Sequence, residues 1–297
     1  MRTLPFKTLP LLALLTPALA LAQATSTLDK VKASGTITLA YRESSIPFSY
    51  LDDKAQPVGF GYEICQKIVD EVKKATGRPD LKVALQSVTA ANRIPLLQNG
   101  TIDIECGSTT NNSVRGKQVQ FAINYFYTGT RFLVKTDSNV KAIDDLKGKT
   151  IVSTSGTTNY QILRNLNEQK KLGMDLLAAK DHAESALMVE SGRAVAYGMD
   201  DILLYGLRAS SQNPASLAVV GEPIQVEPYA IMFRLEDPAF KKLVDGTLAN
   251  LMKSGEFTKL YTKWFMSPIP PKGINLNAPM SKELLENLKA QSDKPAT

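Results

Sequence analysis

The chain predicts an α/β protein made of two similar halves that face each other across a cleft. Three observations carry this. Strand-like and helix-like segments alternate along most of the chain, the order that stacks helices on sheets. One unit occurs twice: "IPLLQNGTIDIECGST" and "SALMVESGRAVAYGMDD" each read as an apolar helix, a Gly stop, a strand, and polar residues where the strand ends. Two extended segments, Tyr127 to Thr136 and Glu227 to Arg234, stand where the chain would cross from one half to the other and return. Ligands of open α/β sheets bind beyond the carboxyl ends of strands, so both halves point their polar ends at the expected cleft.

At the N-terminus, Arg2 and Lys7 precede a short apolar run from Leu9 to Ala22, with small residues at Ala20, Ala22 and Ala24. That is the pattern of a cleavable secretory leader over residues 1–22, too short for a spanning helix. No "LxxC" motif marks a lipid anchor. The reading is therefore of an exported, soluble, periplasmic protein. Ser26 or Thr27 caps a short helix that stops at Gly35, and "TITLAYR" is a strand. "FSYLDDKAQPVGF" is strand, turn and strand end, with Asp52-Asp53 in the turn. Ile64, Cys65, Ile68, Val69 and Val72 recur at helical spacing between Gly61 and Ala75. "LKVALQSV" is a strand, Thr89 caps a helix over "AANRIPLLQNG", and the strand "TIDIEC" comes next.

The second half repeats this grammar. "KTIVSTSGTT" is a strand running into a small polar loop, with a helix from about Asn159. "MDLLAAK" is a strand, "HAESALMVESG" a helix closed by Gly192, and "RAVAYGM" a strand ending on Asp200-Asp201. With the two crossovers, the first lobe spans residues 27–128 and 229–297, and the second spans 129–228. Helices between Phe240 and Phe265 complete the first lobe, "SPIPPKG" ends them, and the polar tail beyond is expected to be loosely held.

Charge excludes little but directs attention. The formal charge of +6 falls to +4 without Arg2 and Lys7. It is evenly spread, with no basic tract to suggest nucleic acid. Cys65 and Cys106 are the only cysteines. In an oxidising compartment an even pair invites a disulfide; the alternative is two small buried apolar residues.

The chemistry concentrates in two matched loops. One presents Ser108, Thr109 and Thr110, the other Ser155, Gly156, Thr157 and Thr158. Each lies between a strand and an expected helix start, where backbone N–H groups and hydroxyls receive an anion. Arg115 stands within reach to add a bidentate fork for a carboxylate or phosphate. Neither loop has the lysine and spacing of a phosphate-binding P-loop, which favours a carboxylate. Other polar groups stand at strand ends: Arg42, Asn92-Arg93, Asp181-His182 and Asp200-Asp201. No G-x-S-x-G and no metal-ligand cluster appears, so no catalytic residue, metal or cofactor is expected.

The runs "RESSIPFSY", "NRIPLLQNGTIDIECGSTTNN", "TSGTT", "AKDH", "SGRAVAYGMDD" and "WFMSPIPP" resemble the periplasmic glutamate/aspartate-binding proteins of bacterial ABC importers, from about Thr27 to Lys272. The resemblance implies a type II periplasmic binding protein: two lobes on a two-strand hinge, closing on one acidic amino acid. It implies that Ser108, Thr110, Arg115 and the loop holding Thr157 and Thr158 take the α-carboxylate, with Thr158 the better of the two. Asp200 would pair the α-ammonium, and Arg42, Arg93 and His182 would be the cations around the side-chain carboxylate. The family commonly has Thr-Ser-Gln-Asn-Arg where this chain has Thr89-Ala90-Ala91-Asn92-Arg93, so one polar contact is replaced by Ala90. The implied partners are L-glutamate or L-aspartate and an inner-membrane permease, the protein itself being a monomer. Two other classes share the scaffold: a dehydratase-like enzyme acting on a small carboxylic acid, and a sensor reporting ligand to a receptor.

Overall fold

The computed structural model describes residues 26–296, so the leader expected at 1–22 lies outside the described residues. Helix α1 (Thr27–Ser34) starts on Ser26, whose hydroxyl accepts from Asp29 N, and stops at Gly35 with φ 68°. Glycine alone enters that left-handed region freely. Strand β1 (Thr36–Tyr41) leads to the small sheet of β2 (Ser44–Ser45), β3 (Ser49–Leu51) and β4 (Pro57–Val58). Helix α2 (Phe60–Thr76) buries Phe60, Ile64, Cys65, Ile68, Val69 and Val72 along one face. Each such large side chain contributes about 1.5–3 kcal/mol when fully buried.

Strand β5 (Lys82–Ser87) and helix α3 (Arg93–Gln98) come next. The helix starts later than its pattern predicts. Thr89 N donates to Asn92 Oδ1 at 2.8 Å, and Asn92 N donates to Thr89 Oγ1 at 3.3 Å. That exchange closes Ala90 to Asn92 into a turn and puts Arg93 first in the helix. Strand β6 (Ile104–Glu105) is shorter than "TIDIEC" suggests, because Ile102 N turns back to Leu96 O.

After β7 (Gln120–Phe121), the long β8 (Phe126–Lys135) enters the second sheet. That sheet gathers β9 (Thr150–Thr154), β10 (Asp175–Ala179), β11 (Ala196–Asp200) and β12 (Leu217–Val220). Between them run α4 (Thr158–Gln169), α5 (His182–Glu190) and α6 (Asp201–Ser210). Its strand order is β10-β9-β11-β8-β12. Strand β13 (Val226–Tyr229) pairs antiparallel with the start of β8, and β14 (Met232–Phe233) joins the first sheet, ordered β5-β1-β6-β14-β7. Helices α7 (Pro238–Ser254), α8 (Glu256–Phe265) and α9 (Lys282–Ala290) end the chain.

The two connecting strands are rooted in one aromatic cluster. Phe126 opens β8 and Tyr229 closes β13, and Phe48 meets them edge-on with ring centroids at 4.8 and 5.1 Å. Phe265 of α8 stacks on Phe126 at 5.0 Å. Cys65 of α2 and Cys106 just after β6 are joined as a disulfide, Cα atoms 5.9 Å apart.

The expectation of a loose tail is corrected. Ser281 caps α9 by accepting from Leu284 N, and Leu284 and Asn287 are buried. Beyond it, Ser292, Asp293, Lys294 and Ala296 hydrogen-bond with Asn111 and Asn124. Polar side chains that look like solvated tail in sequence are anchors here.

Candidate functional site

Strand ends of both sheets converge on a buried polar cluster. Arg42, past the end of β1, and Arg93, at the start of α3, are each 2% exposed; Arg115 is 8% exposed. His182 begins α5, Asp200 ends β11, and both are buried. Ser108, Thr110 and Thr157 are buried as well. The fold thus gathers the sequence-predicted residues, but in more specific roles than their types suggest.

Arg42 donates through Nη2 to His182 Nε2 at 3.2 Å. A guanidinium has no lone pair to give, so Nε2 is the acceptor and the ring proton sits on Nδ1. Nδ1 meets Thr154 Oγ1 at 2.9 Å and Tyr197 OH at 3.0 Å. Burial, then Arg42 and Arg93, hold the imidazole pKa well below its ordinary value. His182 is therefore a neutral acceptor that orients Arg42, which corrects its expected role as a cation.

Arg93 lies 3.9 Å from Glu105, a fully buried carboxylate at the end of β6. Thr109 Oγ1 donates to the other oxygen of Glu105 at 2.6 Å. Arg42 Nη1, Arg93 Nε and Arg93 Nη1 are buried donors with no hydrogen-bond partner among the described residues. Burial, then the charge of Arg93, bring Arg42 down to about 10 and Arg115 down to about 9. The guanidiniums are close enough to repel.

Arg115 bridges the two loops. Its Nη1 donates to Thr110 O at 3.0 Å and its Nη2 to Gly156 O at 3.1 Å. Thr110 and Thr158 hydroxyls, one from each loop, stand 3.2 Å apart. Gly156 has φ 77°, and a Cβ there would sit 2.5 Å from Ala91 Cα. The second loop therefore presses backbone to backbone on the Ala90-Ala91 turn, where only glycine fits.

The two loops lead into different structures. Thr157 caps α4: it accepts from Tyr160 N at 3.1 Å and donates to Thr154 O at 2.6 Å. Its hydroxyl is thus committed to the helix, and Thr158 is the one that meets Thr110 of the first loop. The first loop, by contrast, leads into a three-residue 3-10 turn, Arg115–Lys117, rather than the expected helix. Asn112 Oδ1 accepts from Arg115 N at 2.9 Å and starts that turn. Ser108 Oγ donates to Ser45 Oγ at 3.3 Å.

Asp200 accepts from Asn159 Nδ2 at 2.8 Å and from Tyr229 OH. Burial, then the nearby Glu227 carboxylate, push it up to about 7. Glu227, on β13, accepts from Thr158 Oγ1 at 2.7 Å, and burial raises it too. Adjacent residues Thr158 and Asn159 thus hold one carboxylate each.

Glu105, Glu227, Asn159 and Tyr229 were not singled out from sequence. Glu105 had a signal, a carboxylate in an otherwise apolar strand. Glu227 lay in a segment read only as a connector.

Comparison with known proteins places this geometry in context. The family model for bacterial extracellular solute-binding proteins, family 3, matches residues 37–267. An L-glutamate/L-aspartate-binding protein of Pseudomonas aeruginosa is 50% identical over 285 residues, 96% of this chain and 94% of its own. A glutamate/aspartate import solute-binding protein of Escherichia coli K12 is 48% identical over 91% of this chain and 89% of its own. Among solved structures, a mutant of ArgBP from T. maritima aligns with TM-score 0.72 and 25% identity over 80% of this chain and 98% of its own. An ancestral amino acid-binding protein, described as a precursor of cyclohexadienyl dehydratase, aligns with TM-score 0.69 and 28% identity over 80% of this chain and 99% of its own.

Proposed function

We propose, from the premise that the chain belongs to the bacterial extracellular solute-binding proteins of family 3 and has their type II two-lobe fold, that it captures L-glutamate or L-aspartate in the periplasm and delivers it to an inner-membrane ABC permease. One observation carries the choice of ligand: three buried guanidiniums, with N–H donors at Arg42 and Arg93 left without a partner among the described residues. Burying a charge is costly unless it is paired and hydrogen-bonded. An acidic amino acid brings two carboxylates and one ammonium, the complement of this set.

In this reading Arg42 and Arg93 take the side-chain carboxylate. His182 fixes Arg42 and Glu105 holds Arg93. Arg115, Ser108, Thr110 and Thr158 take the α-carboxylate, and Asp200 takes the α-ammonium. Thr157 serves by capping α4. The lobes are residues 27–128 with 229–297, and 129–228. β8 and β13 form the hinge between them, and the protein acts as a monomer after its leader is removed. The names of the relatives describe binding and import, which supports a carrier over an enzyme.

The test is thermal unfolding of ligand-stripped protein with single amino acids. A ligand that binds only the native state at about a hundred times its Kd stabilises by roughly 2.7 kcal/mol. Glutamate or aspartate should raise Tm accordingly, and glutamine, lysine and histidine far less. Equal stabilisation by glutamine overturns the acidic assignment.

A further inference from the structure

The sequence of the first loop ends in two asparagines that the ligand scheme does not use. Asn111 is 3% exposed, and its backbone N–H, its carbonyl and its side-chain amide nitrogen are all engaged. Its backbone N donates to Pro228 O of β13 at 2.8 Å. Its side-chain amide donates to Asn124 Oδ1 at 2.9 Å and to Asp293 O at 2.8 Å. Its carbonyl accepts from Ala296 N at 2.9 Å. One residue beside Thr110 therefore joins the ligand loop, a hinge strand and the C-terminal tail.

Asn124, just before β8, completes the junction. It is 1% exposed. Its backbone N donates to Ser292 O at 3.0 Å, its side chain to Lys294 O at 2.8 Å, and its carbonyl accepts from Asn287 Nδ2 of α9 at 2.7 Å. Lys241 of α7 pairs with Asp293 at 2.8 Å and pins the outer side. Without residues 292–296, Asn111 and Asn124 lose several of these partners together, and buried amides without partners are costly.

We propose that the segment after α9, residues 292–296, is a strap that positions the ligand loop. Through Asn111 and Asn124 it fixes Thr110 and the Arg115 turn against the hinge, and so sets the affinity of the cleft for its amino acid. None of its hydrogen bonds goes to a predicted ligand-binding residue among the described residues, so it acts as a positioning element. The inference rests on the acidic amino-acid reading above.

The test begins with calorimetric titration of the full chain with glutamate and aspartate. If neither binds, the functional reading fails and the strap falls with it. If one binds, a chain ending at Gln291, checked for folding by circular dichroism, should bind it about tenfold more weakly, the scale of coupling between linked elements. Asn111→Ala in the full chain should shift affinity the same way. The unmodified chain supplies the decisive readout, because coupling is reciprocal. Ligand should slow amide exchange in residues 292–296, which make no ligand contact, while the edge strand β5 keeps its rate. A merely structural tail would not show that difference. Unchanged exchange in residues 292–296 overturns the proposal whatever the variants do. Binding within about twofold of the full chain by a folded truncated protein also overturns it, since that lies below the usual coupling range.

Discussion

The two hydroxyl-rich loops look alike in sequence and are held in opposite ways. Residues 107–112 are tied down from afar. The Cys65–Cys106 disulfide precedes them, Tyr125 OH reaches Gly107 O, Ala230 N donates to Thr109 O, and the C-terminal tail grips Asn111. Residues 155–158 are built into their own sheet and helix: Ser155 N bonds Ala179 O in the adjacent strand, and Thr157 caps the helix it begins, while Gly156 O and Thr158 Oγ1 meet Arg115 and Glu227. The lesson is that one motif can be anchored from across the fold in one half and built into the start of a helix in the other. Arg115 bonds both loops.

Arg115→Ala should break the link and gives the largest effect. It leaves a carboxylate without its partner, a loss of about 3–5 kcal/mol, and it should fall on neutral and acidic ligands alike. Lysine should not restore the loss, because a point charge lacks the planar fork. Titration with glutamate and glutamine decides. A loss confined to glutamate would move Arg115 to the side-chain end.

Next in size is the anchor of the first loop. The disulfide closes a separation of 41 residues. Chain entropy then gives roughly 3–4 kcal/mol. The double variant Cys65→Ala, Cys106→Ala should lose about that much in denaturant unfolding. Thr157→Ala, the matching cut in the second loop, removes a helix cap worth about 1 kcal/mol and is the smallest effect expected. Equal losses would abolish the contrast between the loops.

Between these lies a pH effect belonging to the second half. Asp200 is raised to about 7 by burial and then by Glu227. The ammonium pairs with the ionised form, so ligand binding should expel a proton below that pH. Affinity should rise with pH up to about 7 and then level off, by at most about 1.4 kcal/mol per unit. The group's effect on stability has the opposite sense. From the ordinary carboxyl range up to about 7 the native state binds more protons than the unfolded one, so its contribution falls as pH rises. Calorimetry in two buffers of different ionisation enthalpy measures the proton directly. Binding heat and affinity that ignore pH from 5.5 to 8 would remove Asp200 from the ammonium.

Much of the fold was legible because its signals are local. Gly35 and Gly192 stop helices where the apolar pattern ends, and the spacing from Ile64 to Val72 gives the face of α2. The boundaries that failed depend on side chains speaking to backbone at short range. Thr89 and Asn92 close a turn that displaces the start of α3, and Asn112 starts a 3-10 turn where a helix was expected. The tail failed for a long-range reason: Asn287 and Asp293 are polar, and it is distant groups that make them structural, Asn124 O accepting from the Asn287 amide, and Asn111 and Lys241 holding the carbonyl and the carboxylate of Asp293. In the site, residue types gave the membership of the cluster. They did not give its protonation, because His182 is read as a cation until Arg42 is seen donating to it.

The mutual repulsion of the guanidiniums has a consequence for traffic. Burial, then the charge of Arg93, depresses both Arg42 and Arg115. Bringing those groups together in a dry cleft is unfavourable until an anion arrives as counter-ion. In the proposed two-lobe scheme an empty molecule would be biased to gape, and a ligand would shift the balance only by binding the shut shape better. A membrane partner that recognises the shut shape would rarely be summoned by a carrier with no cargo. In that scheme the charges proposed to select the passenger would also guard against a false departure.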